Sequence, residues 1–280
     1  MDYKRRFTFN IHDGVTANAL ERMGIKYKQA KNCAICVVEI MESDEKWPLF
    51  KKFLDCIGET AQTTVVYTKS EIEHAEWFAI RTAWRWEYPQ PDSDNFGYKK
   101  GITYAGECPE CAANAVQVGK FRVRRSPKWN AKAFLMINWV DDVLFTSETA
   151  RNMLESSKLK GFHFQNVLNT KGTSAIDDIY QLCVETMLPP GLMITNDTIR
   201  EVNTCPKCGS TKYLASGRGI IYKKDAFANV EDDIVMSDEL FGAGDLHIAV
   251  RHIIISRQFY EVIVANKLDK QLILEPVMLV

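Results

Sequence analysis

The sequence predicts an α+β fold built from two related units and an N-terminal extension. Two observations carry this prediction. A Cys-Pro-x-Cys motif occurs twice, at residues 108–111 and 205–208, and a weak internal repeat lies downstream of each copy. We expect an N-terminal α+β segment over residues 1–95, a first motif-containing repeat unit over 96–170, and a linker helix with the second repeat unit over 171–280.

The composition is that of a folded protein from a reducing compartment. The 280 residues include 35 basic and 36 acidic side chains, for a net charge of −1, and 46% of them are hydrophobic, which suffices for a core without disulfides. The N-terminus lacks the apolar core of a signal peptide, and no apolar run approaches the ~18 residues of a membrane span. We therefore expect a cytoplasmic protein with reduced cysteines.

The first 95 residues alternate between strand and helix patterns. Strands are predicted from period-two apolar or β-branched runs, and helices from apolar residues three and four apart with glycine at their ends. The predicted elements are a strand through Phe7, Phe9 and Ile11, helices over 16–23 and 47–57, a strand over 63–68, and a helix opening at Ser70 and running through Ile80.

A third Cys-x-x-Cys, formed by Cys33 and Cys36, runs directly into the apolar residues 37–40. This context predicts a buried strand in which cysteine serves as a small apolar side chain. A metal-binding role for this pair is the alternative. No function is predicted for residues 1–60.

The residues around the first motif predict a short β-hairpin. A strand over 98–104 leads into the motif, after a polar loop over 92–97, and a strand over 116–124 follows it. Basic side chains are dense between residues 99 and 132. Such a run is either a solvated strand face or a surface for nucleic acid.

The internal repeat aligns residues 143–167 with residues 253–277. In each copy an apolar run ends in a serine, Ser147 or Ser256, and about ten residues of helical pattern and an alternating strand follow. Because serine accepts hydrogen bonds from first-turn amides, each copy is predicted to be a strand, a serine-capped helix and a second strand.

The remaining part of the second unit contains three further predictions. A helix is expected over residues 177–188, ended by the prolines that follow it. A hairpin over 213–222 is the expected counterpart of the first hairpin. An acidic stretch over 225–245 is expected to include a loop at 241–244.

The two Cys-Pro-x-Cys motifs predict a metal site. Each can present two thiolates from one tight turn, and together they supply the four soft ligands of a closed, tetrahedral, structural Zn²⁺ site. Because 93 residues separate Cys111 from Cys205, such a metal would join two distant parts of the chain. Unrelated thiol pairs and a redox dithiol are the alternatives. The predicted ligands are Cys108, Cys111, Cys205 and Cys208.

The sequence contains none of the common catalytic motifs. We find no nucleophile elbow, no His-Glu-x-x-His and no phosphate-binding loop, and the five histidines are scattered. Four cysteines on one metal would leave no position for a reactive water. These observations favour a binding protein over an enzyme.

The two motifs, the downstream segments FTSETARNMLESSKLKGFHF and IIISRQFYEVI, and the closing residues 274–277 resemble the bacterial double-CxxCG motif family. The resemblance covers about residues 65–280. Myxobacterial members are described as immunity proteins of toxin–immunity pairs, so the resemblance implies a protein that neutralises a cognate toxin by binding it, with zinc as scaffold. The four cysteines carry over as metal ligands, whereas Ala112 stands where the family has glycine.

The alternative function is a zinc-ribbon protein that associates with nucleic acid through the basic hairpin 99–132. Binding that weakens steeply with salt would indicate this function. For the toxin-binding function, the candidate contact surfaces are the acidic loop 231–245 and the aromatic stretch 77–98.

Overall fold

The chain has an α+β fold, as predicted, in the computed structural model. The structure describes residues 1–29, 33–91, 102–243 and 248–280. Contacts within the chain define two compact units, one of Met1–His74 with Ser216–Gly219 and one of Ala75–Ala215 with Ile220–Val280. The three-segment division made from the sequence stays a prediction.

The N-terminal unit is a four-stranded sheet with strand order β2-β3-β1-β4, accompanied by three helices. Its core includes Phe50 of α2, which packs edge-on against Phe7 of β1. The predicted strands at 7–11 and 63–68 and helices at 16–23 and 47–57 are confirmed. The elements are β1 (Asp2–Asn10), α1 (Gly14–Arg22), β2 (Lys28–Gln29), β3 (Ile35–Met41), α2 (Trp47–Ile57), β4 (Gln62–Val66) and α3 (Lys69–His74).

The second unit consists of two halves with the same order of elements, except that the second half also contains a 3-10 helix and the short strand β19. The first half comprises β5 (Trp77–Thr82), β6 (Arg85–Trp86), β7 (Tyr104–Ala105), β8 (Val116–Gln117), β9 (Arg122–Val123), β10 (Phe134–Ile137), β11 (Leu144–Thr146), α4 (Glu148–Glu155) and β12 (Phe162–Asn169). The second half comprises β13 (Ala175–Val184), β14 (Thr186–Met187), β15 (Ile199–Thr204), β16 (Thr211–Ala215), β17 (Ile220–Tyr222), a 3-10 helix (Lys224–Phe227), β18 (Ile234–Met236), β19 (Leu240–Phe241), β20 (Ile253–Ser256), α5 (Arg257–Ala265) and β21 (Leu272–Leu279).

Each half contributes to two six-stranded sheets that match strand for strand. The strand orders are β6-β10-β11-β13-β12-β9 and β14-β18-β20-β5-β21-β17. In both sheets the outermost pair at each edge is parallel and the three inner pairs are antiparallel. The two halves are therefore an internal duplication, which begins at β5 and β13, well before the Cys-Pro-x-Cys motifs.

The halves exchange their first strands. Strand β13 of the second half lies between β11 and β12 of the first, where Leu182 pairs with Leu144 and Phe164. Strand β5 of the first half lies between β20 and β21 of the second, where Ile80 pairs with Ile253 and Leu274. Each sheet thus needs a strand from the other half to be continuous.

The repeat predicted around Ser147 and Ser256 is confirmed. Ser147 is extended and its hydroxyl accepts the Ala150 N–H at 3.2 Å at the start of α4. Ser256 is extended as well, and its hydroxyl accepts the Phe259 N–H at 3.1 Å at the start of α5. Both copies are a strand, a serine-capped helix and a strand.

One predicted helix was too long and another was wrong, and the errors fall on equivalent elements. The helix expected over 70–80 ends at His74, and β5 follows it; the helix expected over 177–188 is β13 and β14. Most of β5 is buried, so its apolar run lacks the alternation of a strand. In β13, Asp178 has φ +56° and the pairing with β12 shifts register. Because this irregularity interrupts the alternation of the strand, the apolar residues of β13 are spaced as in a helix.

The hairpin expected over 213–222 was also wrong, because its two strands enter different sheets. Strand β16 pairs with β15 and β19, whereas β17 pairs with β21. The acidic stretch over 225–245, expected to include a loop at 241–244, contains β18 and β19 within its described part, and Phe241 belongs to β19. Glu239 is buried in this stretch and accepts the Gly191 and Leu192 N–H groups at 2.8 Å.

The hairpin around the first motif is confirmed only at its base, where β7 pairs antiparallel with β8. Most of the strand expected over 98–104 and the whole loop expected over 92–97 lie outside the described residues. The strand expected over 116–124 is divided into β8 and β9.

Within the described ranges, none of the helices has the length and apolar character that crossing a membrane requires.

Candidate metal centre

Each Cys-Pro-x-Cys motif forms the turn of an antiparallel hairpin. The first lies between β7 and β8, whose last pair before the turn is Ala105 with Val116. The second lies between β15 and β16, where Thr204 pairs with Thr211. We call the turn residues 108–113 and 205–210 the first and second knuckles. The hairpins hold both knuckles at fixed places in the second unit.

The two knuckles have the same backbone hydrogen bonds. In the first, Cys108 N–H donates to Ala113 C=O at 2.7 Å and Ala112 N–H donates to Cys108 C=O at 2.9 Å. In the second, the Cys205 and Gly209 N–H groups make the equivalent bonds to Ser210 and Cys205, each at 2.9 Å. The turn therefore places both sulfurs of a knuckle on the same side of the backbone.

The residue after the second cysteine of each knuckle adopts the left-handed conformation. Gly209 has φ +73°, and Ala112 has φ +62°. An L-residue with a side chain is disfavoured there, by about 1–2 kcal/mol. Ala112 nevertheless adopts this conformation. Alanine at the position where the double-CxxCG family has glycine thus leaves the conformation of the turn unchanged.

The knuckles bring all four predicted ligands together. The sulfurs of Cys108 and Cys205 lie 3.9 Å apart, those of Cys111 and Cys208 lie 3.6 Å apart, and all four are within 4.8 Å of one another. A tetrahedral ion with metal–sulfur bonds of about 2.3 Å separates its ligands by about 3.8 Å. A disulfide needs about 2.05 Å, and all four cysteines are free thiols. The geometry fits one metal ion.

Two of the four thiols have shifted pKa values. Hydrogen bonds from the Ser210 hydroxyl and amide lower the pKa of Cys208 to about 6. Burial raises the pKa of Cys111 to about 12, although the Ala113 amide donates to its sulfur. Cys208 is the most exposed of the four, whereas the other three are buried. A bound divalent cation would ionise the buried thiols as well.

Contacts between the knuckles include two pairs that the sequence analysis missed. The Asn114 amide donates to the Ser210 hydroxyl at 3.3 Å, and Lys207 lies 3.8 Å from Glu110 in an exposed ion pair. Glu110 and Lys207 occupy the variable position of the two Cys-Pro-x-Cys motifs. Their opposite charges are visible in the sequence once the two motifs are assumed to face each other.

Two cavities border the knuckles. One, of about 450 Å³, is lined by Ala113, Val116 and Cys183; the other, of about 390 Å³, is lined by Ser210, Lys223 and Glu239. Burial raises the pKa of Cys183 to about 11, so at neutral pH it is a thiol and a weak nucleophile.

Among the described residues, the other cysteines and the histidines do not belong to this cluster. Cys36 is fully buried in β3, and Cys33 lies before that strand and accepts the Ile35 N–H at 3.3 Å. His163 pairs with Glu185 at 2.8 Å. Within the residues that the structure describes, the four knuckle cysteines are the one group suited to a metal.

Comparison with known proteins identified no relative of this chain. The chain matches no family model, and no curated protein matches it.

Proposed function

We propose that this chain is a zinc-stabilised binding protein, specifically an immunity protein that neutralises a cognate bacterial toxin by direct binding. The observation that carries the proposal is the closed cluster of four sulfurs contributed equally by the two halves. A four-thiolate site stabilises structure and leaves no coordination position for a substrate. The resemblance to the double-CxxCG family supports the immunity role.

Zinc is the metal that we propose for the site. Tetrahedral sets of four thiolates suit zinc or iron, and zinc is typical of paired knuckles. Cys108, Cys111, Cys205 and Cys208 would hold it, and the Ala113 and Ser210 amides would stabilise the sulfur charge. When bound, zinc would cross-link the two knuckles, and it has no redox chemistry of its own.

Elemental analysis of the purified protein tests the metal. We expect one zinc per chain, lost in Cys108→Ser and Cys205→Ser. Cys56→Ser and Cys183→Ser are the matched controls, because these cysteines lie outside the cluster, and both variants should retain zinc. Protein without zinc, or with iron in its place, would contradict the assignment.

Co-expression tests the immunity role. A toxin encoded beside this chain should kill a bacterial host alone and be tolerated with the chain, and the two purified proteins should form a stable 1:1 complex. Charged faces on a rigid protein favour rapid and selective association. Continued killing in the presence of folded, zinc-loaded chain would contradict the role.

The alternative of nucleic-acid binding through the basic hairpin 99–132 has less support. Arg125 and Lys132 lie over the rings of Trp86 and Trp84, at 5.2 and 4.2 Å from their centroids. Arg125 also donates to Glu87. These cations are partly engaged within the protein, although Arg124 and Lys128 are exposed.

A further inference from the structure

The first half of the second unit carries a cluster of aromatic side chains at one edge of its sheet. Trp84 lies edge-on to Trp86, with ring centroids 6.3 Å apart, and to Trp129 at 5.2 Å. Beside them Tyr88 packs on Trp139 at 4.6 Å. We call Trp84, Trp86, Tyr88 and Trp139, with Arg125 and Lys132, the aromatic edge. Its tryptophans are only partly buried, and Tyr88 is 44% exposed.

The internal duplication provides a control for what the fold itself requires. Strand β14 is the counterpart of β6, and the pairing registers place Thr186 where Trp84 stands and Leu188 where Trp86 stands. By the same register, Glu239 occupies the position of Trp139. The second half forms the same sheet without these tryptophans, so the architecture does not explain them.

The charge of the aromatic edge also differs from that of the equivalent edge in the second half. Asp232 in the second half occupies the position of Lys132, two residues before the matched strands β18 and β10. On the aromatic edge, the carboxylates of Glu87 and Asp141 are each paired with an arginine, Arg125 and Arg85. Lys132 and the exposed Lys128 add positive charge beyond these pairs.

The backbone around the aromatic edge is held in disfavoured conformations. Glu87, Asn130, Ala131 and Trp139 all have positive φ, from +43° to +70°. For a bulky residue such as Trp139 this is uncommon, and such strain concentrates at functional sites. The loops hold Trp139 in a conformation that its own preference does not favour, and Tyr88 directly follows Glu87, which is strained in the same way.

We propose that the aromatic edge binds an acidic polypeptide segment of the partner. The inference rests on the proposed function and names the chemistry of the surface that the partner must carry. Aromatic residues and arginine dominate the energetics of protein interfaces. Arginine and lysine lying on aromatic rings keep N–H groups for carboxylate oxygens, and the rings supply the apolar contact.

The same contacts argue against single-stranded nucleic acid at this surface. Bases bind such proteins by stacking on open aromatic faces. Here Lys132 lies over a face of Trp84 and Arg125 lies over a face of Trp86, and both indoles also pack against the core that includes Trp129. Carboxylates need no open ring face, so an acidic segment fits better.

Binding of a labelled peptide rich in glutamate and leucine to the full zinc-loaded chain tests the proposal. Fluorescence anisotropy should show binding that weakens with salt, and a matched peptide with glutamine for glutamate should not bind. Tyr88→Ala and Lys132→Glu should each weaken binding about tenfold, the scale of a well-placed interface contact. Tyr88 is exposed and Lys132 is half-buried, and circular dichroism checks that each variant is folded.

The second half supplies matched controls. Met187→Ala removes a side chain as exposed as Tyr88, and Lys224→Glu reverses an exposed lysine; neither should change peptide binding. Binding of oligo-dT in place of the peptide, binding of neither probe, or equal effects of the control variants would overturn the proposal.

The outcome separates this proposal from the proposed function. If the chain protects against its toxin but binds no acidic peptide, only the surface assignment fails. If peptide binding behaves as expected but the chain neither holds zinc nor protects, the immunity role fails and the surface assignment stands.

Discussion

Ala112 and Gly209 occupy the same left-handed position in the two knuckles but differ in their surroundings. A Cβ at Gly209 would meet nothing within 4 Å, so Gly209→Ala adds strain and gains no packing. We expect it to lower the free energy of unfolding by about 1 kcal/mol, the usual penalty for alanine at positive φ. Urea unfolding of the zinc-loaded variant measures this.

The reverse change at the first knuckle should be nearly neutral. Ala112 is only 1% exposed, so Ala112→Gly relieves strain but also removes a buried methyl group worth about 0.8 kcal/mol. This balance explains how the first knuckle keeps its turn with alanine. Equal destabilisation by both substitutions would contradict the assignment of strain to φ.

His252 makes stability depend on pH. Its ring stacks on Phe241 with centroids 3.8 Å apart, and its buried Nδ1 has no hydrogen-bond partner among the described residues. Burial, with a smaller effect of the Arg81 charge, lowers the pKa of His252 to about 4, below the ordinary 6.5. The folded state therefore binds this proton less readily than the unfolded state does.

Because the unfolded chain takes up the proton first, stability is lost as pH falls from about 6.5 to about 4. We expect this group to contribute about 2 kcal/mol of that loss, allowing for the water that reaches part of the ring. His252→Phe keeps the stacked ring and cannot titrate, so its free energy of unfolding should fall less over this interval. The difference between the two pH profiles separates His252 from the thiols, which also titrate.

At the scale of elements, the two serine caps allow a direct comparison between the halves. Ser147→Ala removes the bond to the Ala150 amide and should cost about 1 kcal/mol. Ser256→Ala should cost more, because the Ser256 hydroxyl also donates to the Asp233 carboxylate at 2.6 Å. Ser156→Ala, at the end of α4, should change stability little. Thermal unfolding of the three variants measures the order of their losses in stability.

The elements predicted correctly are those whose secondary structure is specified by residues close in sequence. The helices at 47–57, 148–155 and 257–265 have apolar residues at helical spacing and a glycine or serine at one end, and nearby residues suffice to specify them. The knuckles were predictable for the same reason, since their ligands sit in two short motifs.

The two central strands β5 and β13 were missed because the strands that pair with them are far away in the sequence. Each lies between two strands of the other half, so both of its hydrogen-bonded neighbours come from a different copy of the repeat. Their apolar patterns reflect burial in a sheet that the neighbouring sequence does not reveal. For the same reason the sequence located the start of the duplication too late, at the knuckles.

At the scale of the whole molecule, the halves of the second unit are joined by two independent means. The metal centre would cross-link the knuckles, and the exchanged strands make each sheet depend on both halves. From the sequence, only the metal was identified as a connection between distant parts of the chain. The exchanged strands mean that removing the metal leaves the larger connection in place.

We therefore expect metal removal to unfold the protein locally. In hydrogen exchange after treatment with a chelator, the amides of β7, β8, β15 and β16, which flank the knuckles, should lose protection, because four closely spaced thiols without a cation no longer hold the hairpins together. The amides of β5 and β13 should stay protected, since each is paired on both sides. Restoring zinc should reverse the change. Simultaneous loss of protection in the knuckle hairpins and the exchanged strands would show instead that the metal stabilises the whole unit, and that the strand exchange does not suffice without it.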